Sequence, residues 1–341
     1  MPKHIFNCHL MKTYYITGIS GFLGRNITIE LLKQQDVSIV GFVFPNEKNL
    51  EFYEQYSNIT LVRGNTLNRD EVDNFLSTPS NGDKYLLHVA GRISVYKRND
   101  PLTMRVNVDG TRNIIESCLD KGFKKVIYVS SVDSLPRRKG NEPIYESNEY
   151  TLDNVEGVYS KSKVLANNIV LDAVKNKGLN ACIVLPSVFM GPNDPFDSPI
   201  NSAIKKFLND KLPAITKGGY DIVDVRDVAR GIILAAEKGK AGESYLLTGH
   251  NVSVKDLIDG AAKQADKKPV TKVAPTFVVK LVSPFIGMHA RINHKMPLFT
   301  AFAIDCLMQD SNYSYQKAHQ EFGYEPTPLE ITMQDTIEWL K

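Results

Sequence analysis

The stretch TGISGFLG, residues Thr17–Gly24, decides the fold of this 341-residue chain. It follows a buried-strand pattern, Tyr14–Thr17, and opens a segment with helical spacing, Gly21–Lys33. Glycine lacks a Cβ, so this backbone can turn tightly and come close to a pyrophosphate. The helix that follows offers free N–H groups to such an anion. We therefore expect the following loop residues to bind a dinucleotide: Gly18, Ser20, Gly21, Phe22, Leu23 and Gly24.

Apolar strand patterns and helical patterns alternate beyond this loop. The further strand patterns are Val37–Phe44, Ile59–Arg63, Tyr85–Val89, Val126–Ser130 and Ala181–Leu185. The helical patterns between them are Arg69–Leu76, Pro101–Lys121 and Tyr159–Asn176. Near-continuous apolar strands separated by helices are typical of a parallel sheet that is covered on both faces. The sequence therefore predicts an α/β fold with a doubly wound, Rossmann-type sheet.

Proline-rich loops after Pro186 indicate a second, smaller domain. We assign residues 11–185 to the nucleotide-binding domain, to which 221–236 return as a strand followed by a helix. Residues 186–220 and 237–341 are predicted to form the smaller, substrate-binding domain. The helices predicted in this part of the chain are Pro199–Leu208, Val254–Gln264, Phe277–Val282, Leu298–Met308, Ser314–Phe322 and Leu329–Leu340, and a short strand is predicted at Gly242–Leu247. Residues 1–10 lack the apolar core of a signal peptide, and we expect them to be a disordered or mis-called extension.

The composition is that of an ordinary globular protein, with 43% hydrophobic and 23% charged residues. The formal net charge of +3 gives no strong field for nucleic acid, and no apolar run is long enough to span a membrane. The four cysteines are too far apart in sequence for a Cys-x-x-Cys pair, so we expect reduced thiols, no metal site and a cytoplasmic location.

The choice between NAD and NADP depends on the residue after the second strand. An acidic residue about 20 positions beyond the loop selects NAD, and a basic residue selects NADP. Phe44 stands at that position and meets neither requirement. Because no carboxylate stands there to repel a 2′-phosphate, and Arg25 and Lys48 are near in sequence, we favour NADP, with NAD as the alternative.

Tyr159 and Lys163 form a Tyr-x-x-x-Lys pair on one face of a predicted helix. A nearby ammonium favours phenolate, so we expect Lys163 to bring the phenol pKa of Tyr159 toward neutral pH. The strand Val126–Ser130 leads into Ser131 at the carboxyl edge of the sheet, where ligands bind in this architecture. A serine there can polarise a substrate oxygen.

Together these motifs resemble those of the extended short-chain dehydrogenases/reductases, over nearly the whole length from Met11. The resemblance implies that Ser131, Tyr159 and Lys163 are catalytic and that Asn107, in the stretch NVDGT, belongs to the active-site hydrogen-bond network. Tyr159 and Lys163 are also expected to contact the cofactor. The other cofactor-binding residues that it implies are Phe44, Asn65, Thr66, Ala90, Gly91, Ser130, Pro186 and Val188.

Two departures argue against the sugar-nucleotide branches of this family. Ser131 leads into Val132–Pro136 instead of a V-Y-G sequence, and Tyr220 stands where an Arg often binds the substrate pyrophosphate. What remains is similar to the dihydroflavonol-4-reductase and 3β-hydroxysteroid dehydrogenase group. That likeness implies reduction of an apolar aldehyde or ketone by hydride transfer, with Tyr159 as the proton donor.

Apolar and aromatic residues in the second half of the chain fit a lipophilic substrate pocket. The candidates are Phe189, Met190, Phe196, Phe207, Phe277, Phe285 and Met288, together with Tyr96 in the loop 91–100. Each of them is also a candidate for ordinary core packing.

Two other functions remain open at this stage. One is a sugar-nucleotide epimerase or dehydratase that keeps NAD bound, and the other is a dinucleotide sensor without turnover. The resemblance also implies a homodimer formed by the helices Pro101–Lys121 and Tyr159–Asn176. The expected ligand is a small molecule, and no nucleic-acid partner is expected.

Overall fold

The computed structural model describes residues 11–136, 142–281, 283, 300–309 and 311–341. The predicted extension 1–10 lies outside these residues. Within them the chain forms two sheets, of seven strands and of three. The strands are β1 (Lys12–Thr17), β2 (Val37–Val43), β3 (Ile59–Arg63), β4 (Asp83–His88), β5 (Lys125–Val129), β6 (Ala181–Pro186), β7 (Val188–Met190), β8 (Gly219–Asp224), β9 (Ser244–Leu247) and β10 (His250–Ser253).

The helices connect these strands in the order that the sequence predicts. They are α1 (Phe22–Leu31), α2 (Glu51–Glu54), α3 (Arg69–Leu76), α4 (Pro101–Met104), α5 (Gly110–Cys118), α6 (Val158–Lys177), α7 (Pro199–Leu208), α8 (Val225–Lys238), α9 (Val254–Gln264), α10 (Ala301–Leu307), α11 (Gln316–Phe322) and α12 (Leu329–Leu340). A π-helical segment, Arg105–Asp109, joins α4 to α5. Short 3₁₀ turns cover Val132–Ser134 and Leu152–Asn154.

The large sheet is parallel throughout, with the strand order β3-β2-β1-β4-β5-β6-β9. The order reverses between β1 and β4, where Thr17 lies opposite His88. One face packs on α1, α8 and α11, and the other packs on α3, α5 and α6. The predicted doubly wound α/β fold is therefore confirmed, and its switch point lies at the end of β1.

The small sheet has β8 at its centre, parallel to β7 and antiparallel to β10. Its core contains Ile222, Val252 and Met190, and helices α7, α9 and α12 pack against it. The sequence did not predict this sheet, because β7 has only three residues and β10 has only four. Strands of this length are too short to show an alternation of apolar and polar residues.

The observed pairing differs from the predicted partition at two places. Strand β9, placed by sequence in the smaller domain, pairs with β6 as the seventh strand of the large sheet. Strand β8, placed in the nucleotide-binding domain, belongs to the small sheet, although α8 does pack on α1. An apolar run indicates that a strand is present, but it does not indicate which sheet the strand joins. The domain boundaries stay a prediction.

No helix in the described ranges is both long and apolar enough to cross a bilayer. The predicted helix Phe277–Val282 ends at a residue outside the described ones, and the helix predicted at Leu298–Met308 is described from Ala301.

The packing of α8 on the sheet gives a stability prediction. Ile232 is fully buried in the core shared with α1, and Ile232→Ala leaves a cavity there. We expect a loss of about 2–4 kcal/mol in the free energy of unfolding. Leu102→Ala, at an exposed position, is the control and should change this free energy by less than about 0.5 kcal/mol. Urea denaturation of both variants checks the prediction; equal losses would contradict it.

Candidate active site

The glycine loop is built for close approach at two of its three glycines. Gly18 has a φ of +70°, and a Cβ on it would meet the backbone of Ala90 at 2.9 Å. A Cβ on Gly24 would lie 2.2 Å from the carbonyl oxygen of Gly18, so only glycine lets α1 pack against the loop. At Gly21 such a carbon would meet nothing nearer than 3.2 Å. The loop is thus tightest at Gly18 and Gly24.

The start of α1 fits an anion. Gly21 is the N-cap and provides no capping side chain, and the first turn carries no acidic residue. The N–H groups of Phe22, Leu23 and Gly24 belong to the first turn of a helix, which has no internal acceptors for them. Free donors and a positive dipole end match the pyrophosphate of a dinucleotide.

A buried chain of hydrogen bonds joins β1 to β4 behind this loop. The Thr17 hydroxyl accepts the N–H groups of Val89 and Ala90, both at 3.1 Å, so its own proton goes to Nδ1 of His88 at 2.7 Å. The Nε2 of His88 then donates to the Thr111 hydroxyl at 3.0 Å. Burial lowers the pKa of His88 to about 3, and the charge on Lys163 acts in the same direction. His88 is therefore a neutral structural link beneath the loop Ala90–Gly91.

Tyr159, Ser131 and Lys163 come together at the carboxyl ends of β4 and β5. The side chain of Ser131 lies close enough to the Tyr159 hydroxyl to act on its pKa. The Nζ of Lys163 is buried, donates to the carbonyl of Val129 at 2.8 Å and lies 5.9 Å from the Tyr159 ring centroid. The structure thus places the three predicted catalytic side chains at one point.

The direction of the Tyr159 pKa differs from our expectation. Burial raises this pKa above its usual value, the carboxylate of Asp133 raises it further, and the side chain of Ser131 acts in the opposite direction. Burial also lowers the pKa of Lys163 to about 7, so near neutral pH its ammonium is only partly charged. The expected lowering of the phenol pKa was wrong for the protein alone, because loss of water outweighs the attraction of the ammonium. Tyr159 is a neutral phenol.

Asn107 positions the loop next to Lys163. Its Oδ1 accepts the N–H of Arg92 at 2.7 Å, and its Nδ2 donates to the Arg92 carbonyl and the Ser162 hydroxyl, both at 2.9 Å. Asn107 lies in the π-helical segment, a local widening that is frequent at functional sites. A Cβ on Gly91 would lie 3.3 Å from the Lys163 Nζ and 3.5 Å from Asn107, so this glycine keeps the space around the ammonium open.

The other predicted cofactor residues lie around the same edge of the sheet. Ser130 is buried 3.5 Å from the hydroxyl of Ser134, which in turn donates to the carbonyl of Ser131. Asn65 closes a turn by accepting the N–H of Leu67, and Thr66 packs against Gly110. These contacts hold the turns in place; the roles of the residues toward a cofactor stay predictions.

Phe44, Pro186 and Val188 occupy strand ends. Phe44 is 56% exposed directly after β2, Pro186 ends β6, and Val188 begins β7. Phe22 makes an edge contact with Phe189, whose ring centroid is 5.5 Å away. The strand β7 is thereby tied to the glycine-loop helix.

Only some of the residues predicted to line an apolar substrate pocket are exposed. Met190 and Phe207 are buried in the core of the small sheet, so core packing explains both of them. Phe196 and Phe277 are 63% and 72% exposed. Phe285 and Met288 lie outside the described residues.

Three further residues reach the site from places that the sequence reading did not single out for it. The carboxylate of Asp133, in the short turn after Ser131, acts on Tyr159. The carboxylate of Glu47 accepts a hydrogen bond from Ser20 of the glycine loop. The ring of Phe302, on α10, lies against Gly157 so closely that a Cβ there would meet it at 2.5 Å. No motif or period marks these positions; only folding brings them to the site.

In the described part of the chain, no three His, Cys, Asp or Glu side chains lie close enough together to bind a metal ion. A glycine loop that fits a nucleotide, a Ser–Tyr–Lys set and a parallel sheet are typical of dinucleotide-dependent enzymes. The chain belongs to the NAD dependent epimerase/dehydratase family, whose model matches residues 14–248.

Curated relatives span nearly the full chain. A putative dihydroflavonol 4-reductase from Synechocystis sp. is 29% identical and covers 96% of this chain and 94% of its own length. The 3 beta-hydroxysteroid dehydrogenase/Delta 5→4-isomerase of monkeypox virus is 30% identical, with 97% and 99% covered. A 2-alkyl-3-oxoalkanoate reductase from Shewanella oneidensis is 26% identical, with 91% and 81% covered.

Solved structures share the architecture. The crystal structure of gox2253 has a TM-score of 0.80 at 30% identity, covering 96% of this chain and 97% of the other. A UDP-glucuronic acid 4-epimerase from Bacillus cereus, solved with UDP-glucuronic acid and NAD, has a TM-score of 0.74 at 19% identity, with 96% and 98% covered. The second likeness concerns the fold alone.

The buried His88 predicts an acid-labile fold. Its pKa is about 3 in the folded chain against 6.5 unfolded, so the unfolded chain binds more protons between these values. Stability from this residue is therefore complete above about pH 6.5 and is lost as the pH falls toward 3, by a few kcal/mol at most. We expect His88→Gln to flatten this part of the stability–pH curve, measured by urea denaturation. His319→Gln, at an exposed site, should leave the curve unchanged; equal slopes in all three proteins would refute the assignment.

Proposed function

We propose that this protein is an NAD(P)H-dependent reductase that converts an apolar aldehyde or ketone to an alcohol. The observation that carries the proposal is the meeting of Tyr159, Ser131 and Lys163 at the carboxyl edge of the sheet, where Lys163 Nζ lies 5.9 Å from the centroid of the Tyr159 ring. A group that must give a proton to a carbonyl oxygen has to hold that proton first, and burial together with Asp133 keeps it on the phenol.

Ser131, Tyr159 and Lys163 have separate roles in the proposed reduction. The bound reduced nicotinamide supplies a hydride. Ser131 donates a hydrogen bond to the substrate oxygen and so stabilises the charge that develops there. Tyr159 gives its proton to that oxygen. The Lys163 ammonium, held by the carbonyl of Val129, stabilises the phenolate that remains.

The small sheet argues against a sugar-nucleotide substrate. Tyr220, at the position where an Arg would bind a pyrophosphate, lies in β8 opposite Val252 and packs on the apolar core of the small sheet. It therefore contributes packing where anion recognition needs a cation. The names of the relatives, which include reductases and a hydroxysteroid dehydrogenase, favour the same conclusion.

We assign the substrate-facing wall to α10 and the loop 91–100. The hydroxyl of Thr300 donates to the carbonyl of Val95 at 2.8 Å, and the N–H of Val158 donates to the carbonyl of Tyr96 at 3.2 Å. With Phe302 against Gly157, these contacts bring an aromatic ring to the first turn of the helix that carries Tyr159. Such a wall suits an apolar substrate. Its helix α10 belongs to the predicted smaller domain, and its loop 91–100 belongs to the predicted nucleotide-binding domain.

The first experiment measures oxidation of NADH and of NADPH with aldehydes, diketones, flavanones and 3-ketosteroids. We expect turnover, and we expect Tyr159→Phe to reduce kcat by about 10²–10⁴-fold because the proton donor is lost. Affinity for the dinucleotide should stay within a few-fold. Tyr145→Phe, on an exposed tyrosine, is the matched control and should keep full activity.

Other outcomes of this experiment would replace the proposal. Full activity of Tyr159→Phe would remove the assigned proton donor. Absence of turnover with a co-purified, tightly held dinucleotide would favour the epimerase, and sugar nucleotides would be tested next. Thermal stabilisation by a dinucleotide without any turnover would favour a sensor.

We propose a homodimer formed by the outer faces of α5 and α6. A groove of about 380 Å³ lies between them, with Val108, Leu165 and Ile169 among its apolar lining and Arg112 and Asp172 among its charges. We expect a dimer in sedimentation velocity and a monomer for Leu165→Asp. A wild-type monomer, or an unchanged dimer for a correctly folded variant, would contradict this proposal.

A further inference from the structure

The adenosine end of the dinucleotide site carries a carboxylate that the sequence reading did not place there. Strand β2 ends at Val43, and the next residue, the exposed Phe44, has no group to bind a ribose hydroxyl or a phosphate. Three residues further along, Oε2 of Glu47 accepts a hydrogen bond of 3.1 Å from the hydroxyl of Ser20. Ser20 lies within the glycine loop, so the Glu47 carboxylate lies beside the loop that is expected to bind the phosphates of the dinucleotide.

The loop after β2 is folded so that Glu47 reaches this position. The Glu47 N–H donates to the carbonyl of Phe44 at 3.1 Å and closes a turn. From β3, the Nη1 of Arg63 donates to the carbonyls of Pro45 at 2.9 Å and Glu47 at 3.2 Å. The turn and the guanidinium together hold the carboxylate over the glycine loop.

Of the two cations that favoured NADP, Arg25 is engaged elsewhere and Lys48 is exposed, while a third nearby cation, Arg63, holds the loop. The Arg63 guanidinium serves the backbone of the loop. The Arg25 guanidinium lies over the ring of Phe52, 4.6 Å from its centroid, and its Nε is enclosed by protein without a hydrogen-bond partner. Lys48 is exposed beyond Glu47. The group in contact with the glycine loop is thus acidic.

We propose that Glu47 makes this protein selective for NAD over NADP. Its carboxylate accepts the hydroxyls of the adenosine ribose, in place of a residue directly after β2, and it repels a 2′-phosphate. The preference for NADP drawn from the sequence rested on the absence of a nearby carboxylate, and Glu47 removes that premise. This inference rests on the dinucleotide site of the proposed function but not on its reaction.

Equilibrium binding tests the inference without turnover. Titration calorimetry with NADH and NADPH should give wild-type protein at least about tenfold tighter binding of NADH. Glu47→Gln keeps the size of the side chain and removes its charge, so the ratio should fall about tenfold, mainly through tighter binding of NADPH. Glu47→Arg should reverse the preference.

Glu54→Gln is the matched control. It removes one negative charge from the neighbouring, exposed face of α2 and should leave the ratio unchanged. Circular dichroism melting establishes that each variant is folded. Wild-type preference for NADPH, equal effects of Glu47→Gln and Glu54→Gln, or no binding of either dinucleotide would each overturn the inference. Selective binding of NADH that depends on Glu47, with no carbonyl reduced, would support it while refuting the proposed reaction.

Discussion

The rest of this structure depends on the hydrogen bonds of the Thr17 hydroxyl, which join the ends of β1 and β4. This hydroxyl accepts two N–H groups from the end of β4 and donates to His88, so it joins the two strands between which the strand order reverses. Because Gly18 follows with a positive φ and touches the backbone of Ala90, the glycine loop and the loop 90–92 have one relative position. Asn107 carries that constraint on to the helix of Tyr159 through Ser162. The glycine loop and the helix that carries Tyr159 are thereby parts of one hydrogen-bonded unit.

Loss of water sets the chemistry of this unit. Burial keeps the imidazole of His88 neutral, keeps the proton on the phenol of Tyr159 and lowers the pKa of Lys163 to about 7. A buried ammonium beside a neutral phenol and a neutral imidazole needs polar partners, and Val129 provides one through its carbonyl. The same desolvation strengthens the interaction between Ser131 and any negative charge that develops on a bound oxygen. The site thus combines a retained proton with donors already in position.

Much of the architecture could be read directly from residue order. The bounds of β3, α3, α7, α9 and α12 match their predicted ranges, because long amphipathic or apolar segments with clear ends have a strong period. Short elements escaped: α2, β7 and β10 have three or four residues each, and the π-helical segment around Asn107 has the composition of the helices that flank it. The place of β9 at the sheet edge also escaped, since an apolar strand carries no mark of its neighbour.

The sequence alone determined the dinucleotide loop, the doubly wound sheet and the Ser131–Tyr159–Lys163 set, because each depends on residue types at short, fixed spacings. Tertiary structure decided the features that spacing along the sequence does not encode. It set the direction of the Tyr159 pKa, which follows from burial and from Asp133. It brought Glu47 to Ser20 across 27 positions and Phe302 to Gly157 across 145, because loop paths and the packing of α10 bring residues together that no local pattern relates.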